Sequence, residues 1–520
     1  SGLARMNMIL HNNPTALIVQ GNTLADPKFK DGDGLKTFDY VVANPPFSDK
    51  RWSTGLTLPD DPWQRFQHFG VPPAKQGDYA YLLHIVASLK STGKGACILP
   101  HGVLFRGNAE AEIRRKLIEK GYIKAIIGLP ANLFYGTGIP ACIVVIDKEG
   151  AASRKGIFMI DASKGFMKDG PKNRLRSQDI HKIVDTYSRQ TEVPRYARLV
   201  PLAEISDAKN DFNLNLPRYI DSTEPEDIQD INGHLRGGIP ERDIDALDAY
   251  WQVMPKLRAA LFKPSTHAGY YELTTKDLKP AILGHPEFAA FKASVDQLFA
   301  RWRTANTPKL KGFARDGHPK ALIEMLSEDL LTAFAQAPLL DHYDIYQHLM
   351  DYWAETMQDD AYLIAAEGWV ASTTRIMETD KKGKTKDKGW VCDLIPKSFI
   401  VARYYAAEQA ALEATQAGLE AATASLTELE EEHGGEEGYL GALDKIAKAE
   451  VNARLKEIKG DKEAKDEAAV QKNWLALKET ESAAKQAVKE QDAALDRLAY
   501  EKYPTLSDDE IKTLVIDDDW

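Results

Sequence analysis

"FDYVVANPPFSDKRW", Phe38 to Trp52, joins a short apolar, β-branched run to an abrupt exit of one amide, two prolines and an aromatic ring. The run reads as a buried strand with Asn44 at its carboxyl end. Working outward, "GKGACILP", "IKAIIGLP" and "IPACIVVIDK" have the same character, and "TALIVQ" (Thr15–Gln20) reads as a further strand. Between them, "DYAYLLHIVASLKSTG" and "NAEAEIRRKLIEKG" are helical in period, and each closes on a glycine suited to a helix C-terminus. Strands alternating with helices predict an α/β domain with a mostly parallel sheet buried on both faces. Ligands of such sheets sit beyond the carboxyl ends of the strands, so Asn44 stands where chemistry is expected.

The 520 residues are 43% hydrophobic and 28% charged, an ordinary globular composition with room for several domains. No apolar run is long enough to span a membrane, and "SGLARMNMILHNN" has no signal-peptide pattern. Cys97, Cys142 and Cys392 have no metal-ligand spacing, so no metal site is expected; buried thiols in a reducing cytoplasm are. A net charge of −11 argues against a general nucleic-acid binder, because phosphate contacts need clustered Lys and Arg. Glu112–Lys120 and Lys381–Lys388 are nevertheless locally basic, and a local patch or a partner subunit can supply the charge.

The chain divides by pattern into 1–220 (α/β), 221–400 (mainly helical), 401–500 (rich in Ala, Glu, Lys and Leu) and an acidic tail, 501–520. In the third region Leu412, Thr415, Leu419, Ala422, Leu426 and Leu429, and later Leu477, Glu481, Ala484, Val488, Gln491, Leu495 and Leu498, recur at heptad-like spacing around the breaker "HGGEEGYLG", with small and polar residues at several seam positions. That predicts a long antiparallel helical hairpin, or coiled-coil arm. Its weak seam calls for a third helix or a partner. Tyr343, Tyr346, Tyr352 and Trp353 read as helix-packing core, and "TDKKGKTKDKGW" as a solvated loop or a DNA-backbone contact.

Asn-Pro-Pro-Phe suits one kind of chemistry. The Asn44 carbonyl oxygen can accept one hydrogen of a substrate amine, and the Pro45 carbonyl the other. The prolines fix the backbone direction, and Phe47 can stack on a planar ring. Accepting both hydrogens biases a delocalised exocyclic nitrogen toward tetrahedral geometry and frees its lone pair. The plain alternative is a proline-rich turn out of a strand.

An apolar strand ending in Asn-Pro-Pro-aromatic resembles the catalytic motif of the amino-methyltransferases. "LARMNMILHN", the stretch from "GDYAYLLHIV" to "IPACIVVIDK", and "DFNLNLPRYID" resemble, in order, the modification (methyltransferase) subunits of type I restriction–modification systems. The resemblance implies a Rossmann-like S-adenosylmethionine-dependent DNA adenine-N6 methyltransferase. It also implies DNA, a type I specificity subunit and a restriction subunit as partners. It assigns catalysis to Asn44, Pro45, Pro46 and Phe47. "GNTL" implies a cofactor contact at Gly21 and Asn22; the family has an acidic residue where this chain has the uncharged Asn22, which also reads as a turn residue. "NLFYGTGIP" implies that Phe134 or Tyr135 stacks on a flipped base, core packing being the other reading. Arg106 is a candidate on the same face or a structural ion-pair partner.

The family's glycine-rich cofactor loop is not found in the sequence. The expectation is a chain that begins inside the methyltransferase domain, is catalytically incomplete alone, and leaves an unpaired edge near "FDYVVAN" or a rearranged sheet. Two alternatives stand beside the DNA methyltransferase: an enzyme acting on protein glutamine or RNA, and a non-catalytic assembly module docking a specificity subunit.

Overall fold

The computed structural model describes residues 2–520 except 12, 59, 224–227, 380–382, 384, 436–437, 442 and 444. Contacts divide it into two compact units, one of residues 1–291 and 334–347, the other of 292–333 and 348–520. The boundary expected at 220 therefore lies inside the first unit. Among the described residues no helix is long and apolar enough to cross a membrane.

The first unit holds the sheet. Its strands are β1 (Phe38–Ala43), β2 (Leu89–Pro100), β3 (Ile123–Gly128), β4 (Ala141–Asp147) and β5 (Gly156–Asp161). After a small antiparallel hairpin, β6 (Met167–Asp169) with β7 (Lys172–Arg174), the last sheet strand is β8 (Ala197–Pro201). The helices are α1 (Gly2–Leu10), α2 (Asp78–Ala87), α3 (Ala109–Glu119) and α4 (Ser177–Arg189). The six-stranded sheet runs in the order β8-β5-β3-β4-β2-β1.

The sheet is mixed, where a mostly parallel one was expected. β1–β2 and β3–β5 are parallel; β2–β4, β3–β4 and β5–β8 are antiparallel. The cause is the connection from β3 to β4, residues 129–140, which contains no helix. Without a crossover helix the chain returns antiparallel to the strand it has left. Residues in β3 and β4 alternate between two cores. Ile126, Val144 and Ile146 pack with residues of α2 and α3, while Ala125, Ile127 and Phe158 pack with Ile183 of α4. Both faces are covered, which is why these strands read as continuous apolar runs.

Two local expectations change. α2 ends at Ala87, and the stretch from Leu89 through Gly93 is already strand, because Leu89 pairs with Phe38. Gly121, at φ 66°, does follow α3 in the left-handed conformation expected of a helix exit. "TALIVQ" forms no strand; Leu17 is 72% exposed. β1 is an edge strand paired with β2 alone, and Tyr40 and Val42 are 74% and 77% exposed. The unpaired edge expected near "FDYVVAN" is therefore present.

The second unit is mainly helical. Helices Ala406–His433 and Lys465–Lys502 pack together, with Lys448–Glu457 against the latter as a third helix. Leu412 shares a core with Leu495, and Leu426 with Trp474, whose indole nitrogen donates to Glu430 at 2.8 Å. Early residues of one helix meet late residues of the other, so the hairpin is antiparallel as expected. "TDKKGKTKDKGW" is not simply a loop: strands Thr373–Thr379 and Thr385–Cys392 pair antiparallel. Lys381, Lys382 and Lys384 of that run lie outside the described residues. Trp353 is buried as expected, as is Tyr346 in the first unit, whereas Tyr352 is 41% exposed.

A buried ion pair in the first unit sets its response to acid. Arg65 and Asp61 lie 2.7 Å apart with side chains 0% and 2% exposed. Arg65 also approaches the His84 Nδ1 at 3.3 Å. Burial, reinforced by that guanidinium, pushes His84 down to about 4. An unfolded histidine titrates near ~6.5. The depressed value means that the folded state's advantage is complete above the unfolded pKa and is lost as pH falls through the folded one. Urea midpoints measured at pH 7 and pH 4.5 should therefore differ less in His84→Gln than in the unsubstituted chain. An equal acid-induced drop in both would contradict this assignment.

Candidate functional site

β1 delivers Asn44 to the carboxyl edge of the sheet. Asn44 is exposed, Pro45 is buried, Pro46 is exposed and Phe47 is half-buried. The exposed Asn44 side-chain amide makes no hydrogen bond among the described residues, so its oxygen and nitrogen are uncommitted. The chain then turns sharply at Ser48, whose φ of 52° is in the left-handed region that a non-glycine residue rarely adopts.

The turn is held by the start of α2. The Ser48 N–H donates to the Asp78 Oδ1 at 2.7 Å. Asp78 is fully buried, and its other oxygen accepts from Arg106 at 2.8 Å. Arg106 also donates to Gln76 at 3.1 Å. Of its two sequence readings, Arg106 takes the structural one. Around the same turn the Gly77 N–H donates to the Asp49 carbonyl, and the Tyr81 hydroxyl donates to the Asp49 carboxylate at 3.1 Å. Trp52 is buried beneath, its indole N–H donating to the Pro73 carbonyl at 2.9 Å. A Cβ at position 77 would lie 2.7 Å from Trp52, so only glycine allows this approach.

The aromatic partner of Phe47 comes from far along the chain. The loop 129–140 reaches across the ends of β4 and β2, and its Phe134 meets Phe47 edge to face, with ring centres 5.4 Å apart. Tyr135 is 94% exposed. The loop is fastened by the β6–β7 hairpin. The Lys172 ammonium donates to the carbonyls of Phe134 at 2.8 Å and Thr137 at 3.0 Å. The Asn173 side chain donates to the Ala131 carbonyl at 2.7 Å. Gly136, at φ 79°, closes the turn after the aromatic pair.

The Asn22 side-chain oxygen caps a turn by accepting from the N–H groups of Leu24 at 3.0 Å and Ala25 at 3.1 Å. Within the basic run Glu112–Lys120, Arg114 donates to the carbonyls of Phe212, Val103 and Arg106, and Arg115 pairs at the surface with Asp211.

Sequence reading missed Asp78, Lys172 and Asn173. Asp78 carried a weak signal, an acid as the first residue of a helix, where the free N–H groups favour it. Lys172 and Asn173 follow the turn pair Asp169–Gly170 between two short polar runs, which marks a hairpin but not its contact.

Residues 1–228 match the N-6 DNA Methylase family. The chain is 34% identical over 245 residues to the type I restriction enzyme MjaVII methylase subunit of Methanocaldococcus jannaschii, covering 45% of this chain and 41% of the relative. It is 36% identical over 202 residues to the HindI methylase subunit of Haemophilus influenzae, covering 37% and 44%. A crystal structure of the type I restriction–modification system methyltransferase subunit from Streptococcus thermophilus is 40% identical, with a TM-score of 0.38, over 42% of this chain and 46% of that one. The chain spans less than half the length of these curated relatives.

A methylase family implies a methyl donor. The residues at Gly21 and Asn22 do not fit the adenosine of S-adenosylmethionine. Asn22 spends its oxygen on the turn and brings no charge, and residues 15–20 before it stand outside the sheet. Isothermal titration of the 520-residue chain with S-adenosylmethionine should show binding weaker than micromolar or none; micromolar affinity would refute this reading of the turn.

The Asp78 network gives a second expectation. Removing one partner of a buried, hydrogen-bonded charge pair costs about 3–5 kcal/mol. Asp78→Ala should lose stability on that scale in urea, and Asp78→Asn, which still accepts from Ser48, should lose less. Identical urea midpoints for Asp78→Ala and the unsubstituted chain would show that the turn is held by something else.

Proposed function

We propose that residues 1–228 form the amine-gripping side of a DNA adenine-N6 methyltransferase, the modification subunit of a type I restriction–modification system. The observation that carries this reading is the uncommitted Asn44 amide at a strand end, beside a Phe47–Phe134 pair 5.4 Å apart. The family match and the type I methylase subunits among the relatives support the same substrate.

An adenine must leave the duplex before its N6 amine can reach Asn44, at a cost of a few kcal/mol. In this reading Phe47 supplies a stacking surface and Phe134 backs it, recovering part of that cost. The Asn44 oxygen and the Pro45 carbonyl accept the two amine hydrogens, which draws the nitrogen lone pair out of conjugation. Pro45 and Pro46 hold the acceptors in place because their φ angles are locked. Tyr135, exposed beside Phe134, is free to fold over the base. The methyl donor called for is S-adenosylmethionine. DNA, a specificity subunit that reads the target sequence and a restriction subunit are the partners, and the compartment is the cytoplasm.

The poor fit of Gly21 and Asn22 to the donor favours a second reading for the chain acting alone: an assembly module that docks a specificity subunit through the helical hairpin. Methylation of hemimethylated DNA, assayed with the specificity subunit added, separates the two. Asn44→Ala should lower methyl incorporation at least ~100-fold, on the scale of removing a group that acts in the transition state, and should leave assembly intact. Assembly with no methylation by either form, or equal methylation by both, would support the module or sink the catalytic role.

A further inference from the structure

The hairpin β6–β7 does more than fasten the Phe134 loop. From Lys164 to Arg174 the chain carries Lys164, Lys168, Lys172 and Arg174 against one acid, Asp169, in a protein of net charge −11. The segment leaves the carboxyl end of β5, on the same edge of the sheet as Asn44. Lys164, Lys168 and Arg174 are exposed. Among the described residues none of Lys164, Lys168 and Lys172 lies within ion-pair distance of a carboxylate, although the Lys164 charge is felt by Asp221. Lys164 donates to the Ser222 carbonyl, and Lys168 stands 5.6 Å above the Phe166 ring. Arg174 meets Asp169 at 3.3 Å, with side chains 59% and 63% exposed. Such a pair is screened by water and contributes little, so it can exchange for a stronger anion.

We infer that this hairpin is a DNA-backbone clamp: Lys164, Lys168 and Arg174 contact phosphates beside the extruded base. The inference rests on the reading of Asn44 and Phe47 as a base-binding site. Its physical content lies in the coupling. Lys172 and Asn173 tie the hairpin to the carbonyls of residues 131, 134 and 137, so phosphate contacts at its outer face and the aromatic wall at Phe134 belong to one piece of structure. Phosphate contacts position a nucleic acid without reading its sequence. This is the task left to a subunit whose partner reads the bases. It also places a positive surface on an acidic chain where the negative charge of DNA must approach.

The test is the salt dependence of DNA binding by the full 520-residue chain, with a fluorescein-labelled duplex as probe. Each phosphate neutralised adds about 0.9 to the slope of log affinity against log salt. The triple variant Lys164→Gln/Lys168→Gln/Arg174→Gln should therefore lower the slope by about 2.7 and weaken binding at least ~10-fold at low salt. A charge-matched control, Lys448→Gln/Lys456→Gln/Lys459→Gln, should leave the slope unchanged. A variant that folds normally by circular dichroism and keeps the full slope overturns the inference, as does an unsubstituted chain that binds no duplex. Loss of co-elution with the specificity subunit at unchanged slope overturns it in favour of a protein-docking face. Methyl incorporation by the Asn44→Ala chain is read separately, so failure of the clamp and failure of the methyltransferase reading have different signatures.

Discussion

The carboxylate of Asp78 is the point on which the site depends. It is fully buried, takes the Ser48 N–H on one oxygen and the Arg106 guanidinium on the other, and so joins the strand exit, the first turn of α2 and the segment after β2. Ser48 would not keep a left-handed backbone without such a partner, because the conformation is unfavourable for a residue with a Cβ. With Ser48 fixed, the two prolines leave Asn44 and Phe47 little freedom. A polar side chain held on such a pre-set turn needs no reorganisation when a ligand arrives.

The second constraint is the direction of β4. By returning antiparallel to β3 without a crossover helix, the chain keeps residues 129–140 at the edge where Asn44 lies. A helical crossover would have carried that segment down the face of the sheet. The loop instead spans two strand ends and delivers Phe134 to Phe47. Lys172 and Asn173 then fasten it from the far side, so the aromatic wall is built from three sequence-distant segments.

How much of this was legible depended on the range of the interaction involved. The strands at 38–43, 123–128 and 141–147 were plain because continuous β-branched runs are what two-sided burial demands. α2 was overrun at its carboxyl end because Leu89 to Gly93 look equally acceptable in a helix, and only pairing with Phe38 draws them into β2. "TALIVQ" has strand composition without a strand, since backbone groups need a neighbouring edge to pair with. Conversely, the stretch in α3 reads as locally basic, yet Arg114 is buried and donates to the carbonyls of Val103, Arg106 and the sequence-distant Phe212.

By itself, the sequence determined the α/β alternation, the helical hairpin and the Asn-Pro-Pro-Phe strand exit, because each follows from neighbouring residues: apolar period, proline geometry and side-chain chemistry. Only the tertiary structure decided that the sheet is mixed, that β1 is its edge, that Phe134 rather than Tyr135 faces Phe47, and that Asp78 and Lys172 hold the two halves of that pair. Those outcomes turn on which distant groups come within hydrogen-bonding distance once the chain has closed on itself, and no local pattern of residues encodes such meetings.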